Sequence, residues 1–364
     1  MTDNNNSIEP VEIQWLNASG QGGCKTKKGV ISVLGALPGD VVTWKGLGTH
    51  GRHTKAVIQE ILSPSPIRTH APCSFNASCG GCDLAYLARD ARKQELSKVA
   101  ENILHTPLVH WVDSPRQTHH RARIKLGIKN GILGYRSPRS HNIVPIEHCL
   151  IAREEINDVL TTLRPLIAQH PSVIGSVEIC SNGTDVRVDL TTRSGKVPND
   201  INRWSQLSAA LTVNGQAIMG APHLFLKVHD VALRVGPGVF YQVNLEINHL
   251  LVQHVLQSII ELNATHVLDL FSGMGNFGIP LAKQGVDVTC VEQPGRAIED
   301  CNYSLRAEGL DNKVRVMGMN AKKFDPSRTF FDVAIVDPPR VGTMGKLEQL
   351  VQNRPTDIFY VSCH

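Results

Sequence analysis

Near the amino terminus, apolar and polar residues alternate over short runs. The stretches VEIQWLN, GVISVLG, DVVTWKG and TKAVIQEIL are separated by glycines and by the turn LPGD. A period of two with frequent turn signals predicts a small β-barrel over residues 8–62. The Ser-Pro steps of SPSPIRTHAP break the rhythm and read as a linker. In LAYLARDARKQELSKVAENIL the apolar positions recur every three or four residues, which predicts a helix. Residues 120–240 mix both periods. RARIKLGIKNGILGYR reads as a hairpin turning at Asn130-Gly131, and VEICSNGTDVRVDLTT as another turning near Asn182-Gly183.

From about residue 263 strand and helix alternate. HVLDLF, VDVTCVE, KVRVMGMN, FDVAIVDPP and TDIFYVSC read as strands. GNFGIPLAKQG, PGRAIEDCNYSLRAEG and GKLEQLVQN read as helices. That order predicts a doubly wound parallel sheet, Rossmann-like in its winding. The expected organisation is a barrel at 8–62, a mixed α/β central domain at 63–240 and an α/β domain at 241–364.

The α/β domain opens on VLDLFSGMGNFGIPLA, a strand, a glycine-rich turn and a helix. Gly273 and Gly275 allow a tight turn and a close backbone approach to a ligand. Glu292 closes the next strand nineteen residues after Gly273. At that spacing a carboxylate accepts hydrogen bonds from a ribose diol. The pattern D-x-F-x-G-x-G differs from the G-x-G-x-x-G of dinucleotide enzymes and suits S-adenosylmethionine, which carries a ribose and no pyrophosphate. Asn320 ends a later strand, placed for an adenine edge. Asp337 ends another, and the two prolines after it stiffen a turn beside the methyl donor. Asp337-Pro-Pro by itself also fits methylases of exocyclic amines, but Arg340 stands where those enzymes carry an aromatic residue.

Composition adds limits. The 364 residues carry a net charge of +4, which permits a nucleic-acid partner without requiring one. The start MTDNNNSIEP has no basic segment followed by an apolar run, and no stretch reaches the roughly 18 apolar residues of a membrane span. The expectation is a cytoplasmic protein with no membrane partner. Nine cysteines are many for such a chain, and three are bunched as Cys73-x5-Cys79-Gly-Gly-Cys82. In a reducing compartment clustered thiols point to a metal rather than to disulfides. With a fourth ligand they suit zinc or an iron–sulfur cluster, and spacing alone does not choose. Cys24, Cys180, Cys290 and Cys301 read as structural. Arg121, Arg123 and Lys125, and Lys25, Lys27 and Lys28 on the barrel, read equally as phosphate contacts or as solvated faces.

Taken in order, DLFSGMGNF, DPPR and YVSC resemble the RNA 5-methyluridine methyltransferases, as does GPGVFYQVN against that family's F-x-Q-x-N motif. CSFNASCGGC with the later IEHCL resembles its iron–sulfur subgroup. The barrel, with SGQGG and GALPGD, resembles the OB-like TRAM domain, an RNA-binding module. The likeness spans the whole chain and is strongest to the bacterial 23S rRNA enzymes. It implies methyl transfer from S-adenosylmethionine to C5 of a uridine in 23S rRNA by a monomer. The implied nucleophile is Cys363. The implied cofactor contacts are Gln242, Phe271, Asn276, Glu292, Asn320 and Asp337, with Phe240 and Gln242 also within reach of the base. The implied ligands of a [4Fe–4S] cluster are Cys73, Cys79, Cys82 and Cys149.

The same resemblance exposes a departure. Family members continue past the nucleophile with a further helix, the last strands and a glutamate base, and no position here corresponds to them. The expectation is an α/β domain incomplete at its carboxyl terminus, with weak or no turnover. Two other readings compete: the same chemistry on tRNA, and a non-catalytic RNA-binding iron–sulfur protein.

Overall fold

The computed structural model describes residues 9–138, 140–193, 195–207, 209–343 and 345–362. Contact density divides the chain into two compact units, one of residues 1–113 with 135–144, the other of 114–134 with 145–364.

The first unit is built on a six-stranded sheet. Its order is Val11–Glu12, Val41–His50, His53–Ser63, Gly29–Leu34, Gly22–Thr26 and Trp15–Leu16. All described pairings are antiparallel except Gly29–Leu34 with His53–Ser63, which run parallel. Alternation puts Ile13, Cys24, Ile31, Val33, Val42 and Ala56 into one core. The LPGD turn is fixed by Asp40, which is fully buried. Its carboxylate accepts the backbone N–H groups of Leu37 and Ser65 at 2.6 and 2.8 Å, and pairs with Arg68. Burial alone would raise the Asp40 pKa; Arg68 and the two N–H groups outweigh it and hold it below the usual range.

The helix expected from Leu84 begins only at Arg89 and runs Arg89–Leu104. Backbone groups upstream are already engaged: Thr69 donates to the Tyr86 carbonyl, and Ala88 donates to that of Ile67. Leu84, Tyr86 and Leu87 pack there with Leu16 and Leu37. Tertiary pairing thus overrides the helical period of the first five residues.

The second unit holds a mixed sheet and a parallel one. In the mixed sheet the strands follow the order Gln216–Met219, Ala210–Val213, Val186–Thr192, Ile174–Ser181, Arg123–Lys129, Ile132–Arg136 and Ile143–Pro145. The hairpin at Asn130-Gly131 turns with φ of +53° and +76°, the left-handed pair that a two-residue turn of this type needs. Helix Glu154–Ala168 lays Ile156, Val159, Leu160, Leu163 and Ile167 inward.

The parallel sheet has the order Val314–Gly318, Asp287–Glu292, His266–Leu270, Val333–Val336 and Asp357–Tyr360. Every pairing is parallel. His266–Leu270 comes first in sequence but lies in the middle. The chain winds outward on one side and then on the other, so the order reverses between His266–Leu270 and Val333–Val336. Ligands of such sheets bind outside the carboxyl ends of the strands at that reversal. One core joins this sheet to the hairpin Leu224–Val228/Val231–Val235 and to helix Leu245–Glu261. Arg187, fully buried, binds Asp189 and donates to the carbonyls of Pro222, Val235 and Gly236. Asp300, on helix Arg296–Glu308, accepts from Arg234 and from the Gly236 N–H at 2.7 and 2.6 Å. No helix among the described residues is long and apolar enough to cross a membrane.

Candidate active site

The first strand of the parallel sheet ends at Leu270, and the chain turns through Phe271–Phe277 into the helix Gly278–Lys283. Phe271 sits at φ +67°. A bulky residue in the left-handed region is uncommon and carries strain, which concentrates at ligand-binding turns. Its ring packs on the core around Leu268 and Leu270. Gly273 follows at φ +57°, and a Cβ there would meet nothing within 4 Å. Gly275, at φ +91°, has no such room: a Cβ would lie 2.6 Å from Ile279. One glycine therefore keeps a face of the loop open, and the other lets the loop press against its own helix.

Three carboxylates border this turn. Glu292 accepts the Gly273 N–H at 2.9 Å through one oxygen and the Gln293 N–H at 2.7 Å through the other. Asp269 is fully buried; one oxygen accepts the Gly278 N–H at 3.0 Å and the other has no hydrogen-bond partner. Burial, reinforced by the charges of Asp337 and Glu292, pushes its pKa up to about 7. Asp337 follows Val333–Val336, and burial pushes it up to about 6. Beneath the loop Cys290 and Cys301 are buried, and the thiol of Cys290 is raised well above its ordinary value by its hydrogen bond with Cys301 and by burial.

Asn276 engages both ends of its carboxamide with Asn248 on helix Leu245–Glu261. Asn248 donates to Asn276 at 2.8 Å and Asn276 donates back at 3.0 Å. Asn320 is half-buried and caps a short 3-10 turn, its side chain accepting the Lys322 N–H at 2.9 Å. Residues 240–244 run extended against Arg121 and Ala122, with Ala122 donating to the Val243 carbonyl at 2.7 Å. Tyr241 points inward and its hydroxyl donates to the Ala122 carbonyl at 2.8 Å. Its neighbours therefore fall on the opposite side: Phe240 is 64% exposed and Gln242 is half-buried. Arg340 is exposed.

The loop, Glu292 and Asp337 thus gather at the carboxyl ends of three adjacent strands. A family model for the methyltransferase small domain matches residues 230–353, which contain them. The 23S rRNA (uracil(1939)-C(5))-methyltransferase RlmD of Idiomarina loihiensis is 30% identical, over 91% of this chain and 80% of that protein. The chain belongs to the RNA uracil-C5-methyltransferase family. Its RlmD relative from Dichelobacter nodosus is 28% identical over 96% of this chain and 87% of that protein. Among solved structures, the Pyrococcus abyssi tRNA (uracil-54, C5)-methyltransferase, in complex with S-adenosyl-L-homocysteine, superposes with a TM-score of 0.79. It is 25% identical, with 98% of this chain and 91% of that chain covered.

Not every residue expected from the family motifs is on view. Cys363 lies outside the described residues. Cys73, Cys79 and Cys82 share one half-buried loop of the first unit, turned by Asn76 and Cys79 N–H groups donating to the carbonyls of Cys73 and Phe75. A Cβ at Gly80 would lie 3.0 Å from the Arg136 carbonyl oxygen, and one at Gly81 3.3 Å from the Cys79 sulfur. The thiol-bearing loop therefore has little space for side chains at either glycine. Cys149 belongs to the second unit, where the Asn157 carboxamide grips its backbone N–H and carbonyl at 2.8 and 3.1 Å. Among the described residues, Glu178, Cys180 and Asp189 bring three possible ligand atoms within 4.8 Å of one another. Arg123 and Arg187 already neutralise those two carboxylates, so that group is a salt-bridge network. The same pairing takes Arg123 out of the basic run; Lys125, Lys25, Lys27 and Lys28 are exposed.

The sequence motifs assign no role to two residues of this uracil-C5-methyltransferase site, Asn248 and Asp269, although Asp269 is the first residue of D-x-F-x-G-x-G. Asp269 is a carboxylate inside an apolar strand, HVLDL, and buried charge in such a run is itself a signal. Asn248 shares the helical stripe of Val252, Val255 and Ile259, a polar residue in an otherwise apolar buried line.

Proposed function

We propose that this chain transfers a methyl group from S-adenosylmethionine to C5 of a uridine in 23S rRNA, through a covalent bond between Cys363 and C6 of the uracil. The observation that carries the reading is the contact between Glu292 and the Gly273 N–H at the carboxyl ends of strands Asp287–Glu292 and His266–Leu270. It sets a ribose-binding carboxylate against a glycine loop in a chain of the uracil-C5-methyltransferase family. The proposed cofactor contacts are Gln242, Phe271, Asn276, Glu292, Asn320 and Asp337.

When bound, S-adenosylmethionine supplies an electrophilic methyl on a sulfonium. C5 of uracil is too poor a nucleophile to take it unaided. The Cys363 thiolate adds to C6, which makes C5 enolate-like; C5 takes the methyl as S-adenosylhomocysteine leaves, a general base takes the C5 proton, and the electron pair left behind re-forms C5=C6 and expels the thiolate. Asp337, at the carboxyl end of the strand beside the loop, adds negative charge near the sulfonium. Phe240, exposed and two residues from Gln242, is suited to stack on an extruded base.

The remaining assignments belong to the same reading. The sheet at 8–62 is proposed as a TRAM-type OB-like barrel that binds RNA, with Lys25, Lys27 and Lys28 on its surface. Residues 63–240 are proposed as the central domain and 241–364 as the methyltransferase domain. Cys73, Cys79, Cys82 and Cys149 are the proposed [4Fe–4S] ligands. Thiolates of such a cluster bind separate irons, which suits three thiols carried on one half-buried loop. Methyl transfer needs no electron, so the part proposed for the cluster is to brace the structure or the RNA contact.

Radiolabelled S-adenosylmethionine offered with a 23S rRNA fragment and, separately, a tRNA transcript tests the substrate. Label on the rRNA fragment alone, as 5-methyluridine or as a methylated adduct held by the protein, is expected. Label on the tRNA alone would move the substrate to tRNA, the RNA named for the Pyrococcus abyssi structure.

A further inference from the structure

The glycine loop is tied to helix Leu245–Glu261 by side chains as well as by packing. Asn248 is 3% exposed, yet it is polar and lies in an apolar stripe. Burying a carboxamide is unfavourable unless its donors and acceptor find partners. Asn248 finds one in Asn276, and the exchange is reciprocal: 2.8 Å in one direction, 3.0 Å in the other. Each amide spends one N–H and one carbonyl lone pair in this ring, so each keeps one more of both. Asn248 is closed off from solvent, whereas Asn276 is only half-buried. The unspent N–H and lone pair of Asn276 are therefore the ones open to a ligand.

The same helix holds the other side of the site. Its cap is Asn244, whose side chain accepts the Ile247 N–H at 3.1 Å and donates to Ser114 at 3.1 Å. The Asn248 N–H donates to the Asn244 carbonyl at 2.9 Å. Gln242 lies two residues before that cap. One helical turn thus connects the Gln242 segment to the glycine loop.

We propose that Asn248 is a positioning residue for the cofactor: it fixes the rotamer of Asn276 so that one amide edge is presented to S-adenosylmethionine, and it sets the spacing between the loop and Gln242. The proposal rests on the reading of the glycine loop as the cofactor site. Asn248 itself touches no ligand. Its effect passes through Asn276, and that gives it a signature distinct from a structural polar residue.

The test is a double-variant cycle read by calorimetric binding of S-adenosylhomocysteine, with melting of the ligand-free protein measured alongside. Asn248→Ala and Asn276→Ala should each weaken binding about tenfold. The double variant should bind no worse than either alone, because both remove one device. Multiplying losses, or an Asn248→Ala protein that melts lower but binds as wild type does, would overturn the proposal and leave Asn248 a structural residue. Wild-type protein that does not bind S-adenosylhomocysteine would overturn the reading of the site, and the proposal with it.

Discussion

The Glu292 carboxylate accepts the backbone N–H of Gly273 at 2.9 Å, across nineteen residues of chain. Its other oxygen takes the Gln293 N–H at 2.7 Å. A carboxylate has about four lone-pair directions, so two remain for a diol. Glu292→Gln keeps one acceptor oxygen and replaces the other with a donor. Affinity for S-adenosylhomocysteine is expected to fall at least tenfold, about 1.4 kcal/mol. Calorimetry on the folded variant checks this. Unchanged affinity would remove Glu292 from the cofactor site.

Asp269 gives a pH dependence with a defined sign. Burial raises its folded pKa to about 7, against about 4 in an unfolded chain. Between those values the native state holds a proton that the unfolded state has lost, so stability falls as pH rises. The contribution is complete below about pH 4 and gone above about pH 7. The substitution Asp269→Asn imitates the neutral acid at every pH. That variant should therefore gain melting temperature over wild type as pH climbs from about 4 to about 7, with a constant difference above that. A difference independent of pH would contradict this assignment.

The raised pKa of Asp337, about 6, has a consequence for ligand choice. S-adenosylmethionine is a cation at sulfur and S-adenosylhomocysteine is not. Ionised carboxylates favour the cation. The ratio of the two affinities should shift toward S-adenosylmethionine between about pH 5 and about pH 8. In Asp337→Asn that shift should shrink, as parallel titrations at several pH values would reveal.

Gly278 opens the helix after the loop, and a Cβ there would sit 2.6 Å from the Cys290 sulfur and 3.1 Å from Asp269. Gly278→Ala overpacks a fully buried spot and should cost about 1–3 kcal/mol in denaturant unfolding. Adding Cys290→Ala removes the sulfur it collides with. The double variant should recover part of the loss, which independent sites would not do.

Much of this architecture was legible before any coordinates. Asn130-Gly131 marked its hairpin because that pair readily adopts the two left-handed conformations of a type I′ turn. The alternation after residue 263 foretold a parallel sheet, and Gly273, Glu292 and Asp337 fell at its carboxyl ends. Helix Arg89–Leu104 was expected five residues too early because its period extends into a segment that pairs with residues 67–69. Arg123 looked available to phosphate; its partner Glu178 lies 55 residues away, and no local pattern reveals such a pair. Asn248 and Asn276 are 28 residues apart, and their pairing exists only once helix and loop are packed.

The central claim is that a thiolate at Cys363 and a methyl donor at the glycine loop act on one uridine. RNA carrying 5-fluorouridine tests it most directly, because fluorine at C5 cannot leave as a proton and the adduct stays bound. The 23S rRNA fragment, S-adenosylmethionine and the protein should give a denaturation-resistant complex. Its digest should contain the Cys363 peptide linked to a methylated fluorouridine nucleotide, and Cys363→Ser should give none. A folded, cluster-loaded protein that forms no such adduct, or forms it in Cys363→Ser, would contradict the account.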